Sequence, residues 1–189
     1  MKVIKTDIEG VVIIEPRIFE DERGYFFEAF AEREFAEQVC DCKFVQDNES
    51  RSSYGVVRGL HFQQSPHAQS KLVRVIKGRV LDVAVDIRQG SPTFGKHIAV
   101  ELSDENHRQV FIPRGFAHGY AVLSDEAIFT YKCDNYYAPE SEGAIAWNDS
   151  TLAIDWQIPA EDVILSEKDK KHPAFVECDK LFDFNDDLY

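Results

Sequence analysis

The stretch LVRVIKGRVLDVAVDIR, residues 72–88, has the pattern that decides the fold class. Two apolar runs, residues 72–76 and 80–87, are joined by a short turn centred on Gly78. In the second run the side chains at positions 81, 83, 85 and 87 are apolar, whereas Asp82, Asp86 and Arg88 fall on the opposite face. This period of two predicts a half-buried strand.

Short runs of the same kind recur along the chain between turn sequences. They cover parts of residues 3–19 and residues 44–50, 56–63, 98–102, 110–112, 120–123 and 127–132. Residues 31–39 have helical spacing instead. Roughly ten short strands with one or two helices predict an all-β barrel or sandwich. No repeat or linker divides the chain, so we expect one domain over residues 1–189, with residues 176–189 as a peripheral acidic tail.

Composition and charge limit the classes of partner. The 189 residues include 34 acidic and 21 basic side chains, a net charge of −13. This balance disfavours nucleic acid and anionic membranes, which bind basic surfaces. No apolar run has the length of a membrane span, and the first residues lack a signal-peptide core, so we expect a cytoplasmic protein. The cysteines are expected to be reduced thiols: Cys40, Cys42, Cys133 and Cys178.

The sequence RGLHFQ, residues 58–63, followed by Lys71, concentrates groups that can carry chemistry. Histidine titrates near neutral pH, so His61 is a candidate general base. Arg58 and Lys71 could bind an anion or stabilise charge that develops during a reaction. The alternative interpretation of His61 is an ordinary, partly buried strand histidine.

Three further stretches carry polar groups whose role the pattern leaves open. Gln46 and Asn48 lie on one face of a predicted strand, which could face solvent or read a nucleobase or sugar. His118 follows a turn rich in proline and glycine, at the start of the strand predicted for residues 120–123. Ser166 and Asp169 have the spacing of a helix capping box, so Asp169 could simply be a helix-start carboxylate.

An ordered set of motifs resembles one known family, the dTDP-4-dehydrorhamnose 3,5-epimerases, over roughly residues 5–175. These are sugar-nucleotide epimerases with a cupin-like jelly-roll fold. The motifs are RGxFxE (23–28), QDN (46–48), RGLHFQ (58–63), QxKLVR (69–74), DxR (86–88), SPTFG (91–95), PxGFAHG (113–119), YK (131–132), WND (147–149) and LSxKD (165–169). The resemblance implies a jelly-roll barrel with a few short peripheral helices and a homodimer that exchanges N-terminal strands. It also implies that the protein uses no metal or other cofactor.

The resemblance also implies a set of catalytic roles. The substrate's 4-keto group acidifies the neighbouring C3 and C5 hydrogens, so a base can remove a proton and leave an enolate. His61 would be the base and Asp169 its partner, which overrides the simple capping interpretation of Asp169. Tyr131 would return a proton on the opposite face, since a phenol is protonated at neutral pH. Lys71 would stabilise the enolate oxygen.

The resemblance assigns the remaining motif residues to the dTDP-sugar substrate. Two arginines would hold the diphosphate, two aromatic rings would stack on thymine, and polar side chains would bind the nucleoside or sugar. In that order these are Arg23 and Arg58; Phe26 and Tyr137; and Glu28, Gln46, Asn48, His118, Glu142 and Lys168.

One geometric conflict follows from these roles. Arg58 and His61 are three residues apart, so they face opposite sides of a flat strand. If both line the site, the strand must bulge or twist, and Gly59 is the obvious place. Alternatively, Arg58 reaches the site of a neighbouring subunit.

The predicted reaction converts dTDP-4-dehydro-6-deoxy-D-glucose to dTDP-4-dehydro-L-rhamnose, and three alternatives compete with it. One is an enzyme of the same family that inverts only C3 or only C5. Another is a cupin-like module that binds a nucleotide sugar without catalysis. The third is a metal-dependent cupin dioxygenase. Gln63 stands where metal-binding cupins carry a second histidine, so no metal site is predicted.

Overall fold

The structure is a computed structural model that describes residues 1–179 and 181–189, and it is built mainly from β-strands. The strands of this part of the chain are β1 (Lys2–Lys5), β2 (Val12–Glu15), β3 (Phe19–Asp21), β4 (Gly24–Phe26), β5 (Gln46–Ser53), β6 (Val57–Gln63), β7 (Lys71–Lys77), β8 (Arg79–Asp86), β9 (Arg88–Gln89), β10 (His97–Ser103), β11 (Gln109–Ile112), β12 (Phe116–Val122), β13 (Glu126–Cys133), β14 (Glu142–Ala144) and β15 (Phe182–Asp183). Helix α1 (Glu32–Gln38) confirms the helix predicted for residues 31–39. Short 3-10 helices cover Pro139–Ser141, Ala160–Asp162, Asp169–Lys171 and Phe175–Glu177.

Two antiparallel sheets face each other and form a jelly-roll barrel. The six-stranded sheet has the order β1-β2-β11-β7-β13-β5, and the five-stranded sheet has the order β10-β8-β12-β6-β14. Apolar side chains from both sheets pack between them, among them Val73 and Phe129 from the first sheet and Ala84 and Val122 from the second. The all-β, cupin-like fold predicted from the sequence is therefore confirmed.

The 72–88 stretch links the two sheets instead of forming a hairpin within one of them. Strand β7 lies in the six-stranded sheet and β8 in the five-stranded sheet, with the chain turning at Gly78. A Cβ at Gly78 would lie 2.0 Å from the carbonyl oxygen of Glu126, so only glycine fits this corner.

The prediction that β8 is half-buried is wrong, because both of its faces are covered. Its inner face packs in the barrel, and its outer face, residues 81, 83 and 85, packs together with Ile87 against the C-terminal part of the chain. Trp156, Phe175 and Phe182 belong to this outer cluster. Asp86 is fully buried as well, where Arg88, Ser91 and Thr93 all donate hydrogen bonds to it.

The acidic C-terminal residues contact the barrel at several points. Strand β15 pairs in parallel with β9, and Phe182 is buried. The Tyr189 hydroxyl lies 2.7 Å from the Ser70 hydroxyl, and the Arg114 guanidinium donates to the carbonyl of Leu188 at 2.5 Å. The single-domain organisation of residues 1–189 stays a prediction.

All four cysteines are free thiols, as predicted. Each helix within the described residues is too short or too polar to span a bilayer.

Candidate active site

A cleft of about 290 Å³ receives side chains from both sheets of the barrel. Seven of the residues singled out in the sequence line it: Gln46, Asn48, His61, Lys71, Tyr131, Tyr137 and Glu142. His61 comes from the five-stranded sheet, whereas Lys71 and Tyr131 come from the six-stranded sheet. The candidate base therefore reaches the cleft from one wall, and the lysine and tyrosine reach it from the facing wall.

A bulge in β6 places Arg58 and His61 on the same side of the strand. His61 pairs with His118 of β12 and Arg58 pairs with Tyr120, so two residues of β6 stand opposite Gly119 alone. Gly59 has a φ of +122°, and a Cβ there would lie 2.6 Å from the Gly119 Cα. The predicted bulge at Gly59 is confirmed. Burial raises the pKa of Tyr131, and the nearby Arg58 charge opposes this effect without reversing it.

His61 and Asp169 form a hydrogen-bonded pair at the cleft. His61 Nε2 donates to Asp169 Oδ1 at 2.6 Å, and the Asp169 side chain is only 6% exposed. The Ser166 hydroxyl donates to Asp169 Oδ2 at 2.8 Å and accepts the Asp169 backbone N–H at 3.0 Å. Burial alone would raise the pKa of Asp169, but the hydrogen bonds from His61 and Ser166 bring it below its usual value. The capping contact and the histidine contact therefore coexist.

Tyr131 and Lys71 lie side by side on the opposite wall. In the β7–β13 pairing, Tyr131 stands opposite Val73 and Lys71 opposite Cys133. The Lys71 ammonium lies 5.9 Å from the centre of the Tyr131 ring. Burial raises the pKa of Tyr131 and lowers the pKa of Lys71. Tyr131 is thus a protonated donor at neutral pH.

Polar contacts order the rim of the cleft. Gln46 Nε2 donates to Asn48 Oδ1 at 3.0 Å, and Gln46 Oε1 accepts the Tyr137 backbone N–H at 3.2 Å. The Tyr137 hydroxyl donates to Glu142 Oε2 at 3.0 Å, and Lys168 Nζ contacts the same oxygen at 2.5 Å. The structure therefore brings these five predicted substrate residues together beside His61.

His118 occupies a different position from the one predicted. Strand β12 begins at Phe116, so His118 lies within the strand rather than just before it, and it is buried. Its Nε2 donates to Asp82 Oδ2 at 2.7 Å, and both side chains are sealed inside the barrel. Burial lowers the pKa of His118, and the attraction of Asp82 opposes that effect. The sequence pattern does not reveal this pair, because it places Asp82 on the solvent face of a half-buried strand.

Three predicted binding residues lie away from this cleft within the protomer. Arg23 and Phe26 lie on the β3–β4 hairpin, where their exposures are 85% (side chain) and 69%. The Arg23 guanidinium contacts Asp21 within the same turn at 2.5 Å. Glu28 lines a separate cavity next to α1.

Gln63 and His172 are the two residues that bear on whether the site could hold a metal ion. The Gln63 amide donates to the carbonyl of His67 at 2.7 Å and accepts the Ala138 N–H at 2.7 Å, so it ties loops together. His172 was not singled out in the sequence, although it lies three residues after Asp169. Within the described residues, His61, Asp169 and His172 are the group of potential metal ligands whose ligand atoms all lie within 4.8 Å.

The fold and the site define the class: a jelly-roll protein whose cleft carries a paired histidine opposite a tyrosine and a lysine, as expected for a sugar-nucleotide epimerase. Residues 5–177 match the family model described as dTDP-4-dehydrorhamnose 3,5-epimerase, and the chain belongs to that family.

Similar proteins of known sequence or structure support this assignment. A dTDP-4-dehydrorhamnose 3,5-epimerase of Shigella flexneri is 53% identical over 180 residues, covering 95% of this chain and 98% of that protein. The crystal structure of the epimerase from Elizabethkingia anophelis is 57% identical, with a TM-score of 0.89 over 94% of this chain and 97% of that one. The Legionella pneumophila enzyme, solved in complex with dTDP-4-keto-L-rhamnose, is 50% identical, with a TM-score of 0.94 over 98% of this chain and 99% of that one.

Proposed function

We propose that the protein is a dTDP-4-dehydrorhamnose 3,5-epimerase, an isomerase that converts dTDP-4-dehydro-6-deoxy-D-glucose to dTDP-4-dehydro-L-rhamnose. Family membership supports this activity, as does the product-like ligand named for the Legionella pneumophila relative. The observation that carries the proposal is that His61, paired with Asp169, enters the cleft from one sheet, whereas Tyr131 enters it from the facing sheet. Inversion at carbon requires a base on one face of the sugar and an acid on the other.

His61 is the base in this proposal. A carboxylate only accepts hydrogen bonds, so the neutral imidazole keeps its proton on Nε2 and its lone pair on Nδ1. Nδ1 therefore takes the proton from C3 or C5, and Asp169 stabilises the imidazolium that forms. The remaining hydrogen bond from Ser166 keeps the carboxylate oriented.

Tyr131 and Lys71 complete the reaction on the opposite wall. As the C–H bond breaks, the electron pair moves toward the 4-keto oxygen and gives an enolate. Lys71 stabilises the negative oxygen, and losing such a group typically costs about 10²–10³ in rate. The Tyr131 hydroxyl then donates its proton to the carbon from the other face, so that the configuration is inverted. These proton transfers use side chains alone, and we propose no metal or organic cofactor for them.

The rim residues bind the nucleotide in this proposal. Arg58 holds the diphosphate, because the bulge at Gly59 aims it along the same side as His61. Gln46 and Asn48 bind the nucleoside, and Tyr137 stacks on the thymine. Glu142 and Lys168, paired with each other at 2.5 Å, close the site near the sugar.

We further propose a homodimer in which the β3–β4 hairpin of each protomer serves the site of its partner. The hairpin carries exposed aromatic side chains, namely Phe19, Tyr25 and Phe26, which a monomer would leave in water. Arg23 would then join Arg58 on the diphosphate, Phe26 would stack on the thymine and Glu28 would bind the nucleoside. A cytoplasmic location stays a prediction.

Incubation of the protein with dTDP-4-dehydro-6-deoxyglucose in D₂O tests the reaction. Mass spectrometry and proton NMR should show deuterium at both C3 and C5, and His61→Ala should abolish it. Incorporation at one carbon only would replace the proposal with the single-inversion enzyme. Tight dTDP-sugar binding without any exchange would leave the non-catalytic binding module.

A further inference from the structure

The segment after Asp169 brings a second histidine to the His61–Asp169 pair. Asp169–Lys171 forms a 3-10 helix, in which side chains three residues apart lie on the same side. His172 therefore follows Asp169 onto the same face, with its Nδ1 3.7 Å from Asp169 Oδ1. The rings of His61 and His172 meet edge to face, with their centres 5.4 Å apart.

The buried His172 side chain has no hydrogen-bond partner in the described part of the chain. Its side chain is 8% exposed, and both ring nitrogens are shielded from solvent without a hydrogen bond. Burial of an unpaired imidazole is costly, so such a group in a native protein calls for an explanation. A ligand that takes up one ring nitrogen would provide it.

We propose that His61, Asp169 and His172 form a binding site for a divalent transition-metal ion, with Zn²⁺ as the best match. Two imidazoles and one carboxylate are a common zinc ligand set, with bonds of about 2.0–2.2 Å. The three ligand atoms lie within 4.8 Å of one another, so side-chain shifts of about 1 Å bring them to a shared ion. Mg²⁺ and Ca²⁺ prefer all-oxygen sites and fit this set poorly.

A second cleft borders this site at His172. It has a volume of about 560 Å³ and is lined by His172, Lys168 and Glu142. Lys168 would repel a cation, but its ammonium is paired with the Glu142 carboxylate at 2.5 Å. The Asp169 carboxylate then supplies the negative charge of the site.

Metal binding at this site would switch off the base, an inference that rests on the proposed epimerase function. An ion on His61 Nε2 takes that nitrogen's lone pair and displaces its proton. A neutral imidazole must then carry its proton on Nδ1, which faces the substrate and can no longer accept one. Asp169 is also drawn from His61 to the metal. The ion therefore inhibits catalysis while leaving Gln46, Asn48 and Tyr137 free to bind nucleotide.

Direct binding of Co²⁺, a spectroscopic substitute for Zn²⁺, tests the site independently of activity. Titration of the full-length protein should give one bound Co²⁺ per protomer. The visible spectrum of the bound ion should be that of a site with nitrogen and oxygen ligands. His172→Asn and His172→Gln should weaken binding at least about tenfold, because removing even a second-shell partner of a metal costs 10–100-fold. A thiolate charge-transfer band that disappears in Cys40→Ser/Cys42→Ser would place the ion on those cysteines and overturn the proposal.

Inhibition by Zn²⁺ forms the second arm. Zn²⁺ should lower kcat with little change in dTDP affinity, EDTA should reverse it, and His172→Asn should need at least tenfold more Zn²⁺, relative to its own metal-free rate. Mg²⁺, which also binds diphosphates, is the matched control and should not inhibit. Equal sensitivity of wild type and both His172 variants would overturn the proposal. Loss of the epimerase function would instead appear as inactivity without metal, with Co²⁺ binding intact.

Discussion

His61 Nε2 lies 2.6 Å from Asp169 Oδ1, although the two residues are 108 positions apart in the chain. Asp169, which accepts this hydrogen bond, is buried, and the Ser166 hydroxyl donates to its other carboxylate oxygen at 2.8 Å. The pair thereby selects one tautomer of His61, with the lone pair of Nδ1 left for the substrate. In the proposed reaction, the chemistry of the cleft depends on that selection.

Replacing Asp169 by asparagine should keep the shape of the pair and lose its function. An asparagine amide can donate to His61 Nε2, which would force the ring proton onto Nδ1 and remove the base. We expect kcat to fall by about 10³–10⁴, as for comparable His–Asp pairs, with a smaller change in KM. Steady-state kinetics on Asp169→Asn check this, with thermal unfolding as the control for the cap at Ser166. A wild-type kcat would show that Asp169 acts only as a cap.

Tyr131→Phe should separate proton removal from inversion. Phenylalanine fills the same space but lacks the hydroxyl that returns a proton from the second wall. Deuterium exchange at the sugar through His61 should continue, whereas product formation should fall by about 10²–10⁴. NMR of the sugar in D₂O distinguishes the two rates. Equal loss of both would place Tyr131 in substrate binding instead. Because burial raises the pKa of Tyr131 above that of a free phenol, the wild-type acid should stay protonated at neutral and mildly alkaline pH.

Local sequence pattern predicted most strands but not how the sheets share them. The period of two in residues 80–87 identified β8, yet the pattern cannot show that the chain changes sheets at Gly78. Nor can it show that Phe175 and Phe182, about 90 residues later, cover the outer face. Burial on both faces depends on contacts between segments that are distant in the chain. An alternating local pattern carries no information about such contacts.

The site was predicted only in part for the same reason. The family resemblance identified His61 and Asp169, and the structure places them in contact. The His118–Asp82 pair joins two neighbouring strands, so neither local pattern reveals it. His172 follows Asp169 by only three residues, but a single histidine in a polar segment gives no periodic pattern from which its role could be predicted. Its position becomes meaningful only with the 3-10 geometry of Asp169–Lys171.

Gly59→Ala should destabilise the fold and disturb the site together. A Cβ at Gly59 would lie 2.6 Å from the Gly119 Cα, which is backbone and cannot move aside cheaply. We expect the free energy of unfolding to drop by about 2–5 kcal/mol, from strain at positive φ plus overpacking. Gly24→Ala is the matched control, because Gly24 has the same φ of +122° and no atom within 4 Å of an added Cβ. Urea titration of both variants should show the larger loss at Gly59; equal losses would leave the backbone angle alone responsible.

Buried His118 should make the fold sensitive to acid. Burial lowers the pKa of His118 in the folded state, so below about pH 6.5 the unfolded chain binds more protons than the folded one. The free energy of unfolding therefore decreases as the pH is lowered. One such group contributes up to about 1.4 kcal/mol per pH unit. His118→Gln, which can still donate to Asp82, should flatten the slope below about pH 6.5. Urea titrations at several pH values measure it, and an unchanged slope would assign the sensitivity to other histidines.

Mixed dimers should show whether the β3–β4 hairpin serves a partner's site. Arg23 is exposed in the protomer and does not line the cleft that holds His61. His61→Ala lacks the base, and Arg23→Ala lacks one diphosphate contact, so each homodimer should be impaired at low substrate concentration. In a co-expressed mixture, half of the dimers pair the two variants, and one of their two sites combines an intact His61 with an intact Arg23 from the other chain. About a quarter of wild-type activity should therefore return under symmetric pairing. Double-tag purification isolates the mixed dimer, where about half should return; activity no higher than that of the Arg23→Ala homodimer would place Arg23 in its own protomer's site or outside the sites altogether.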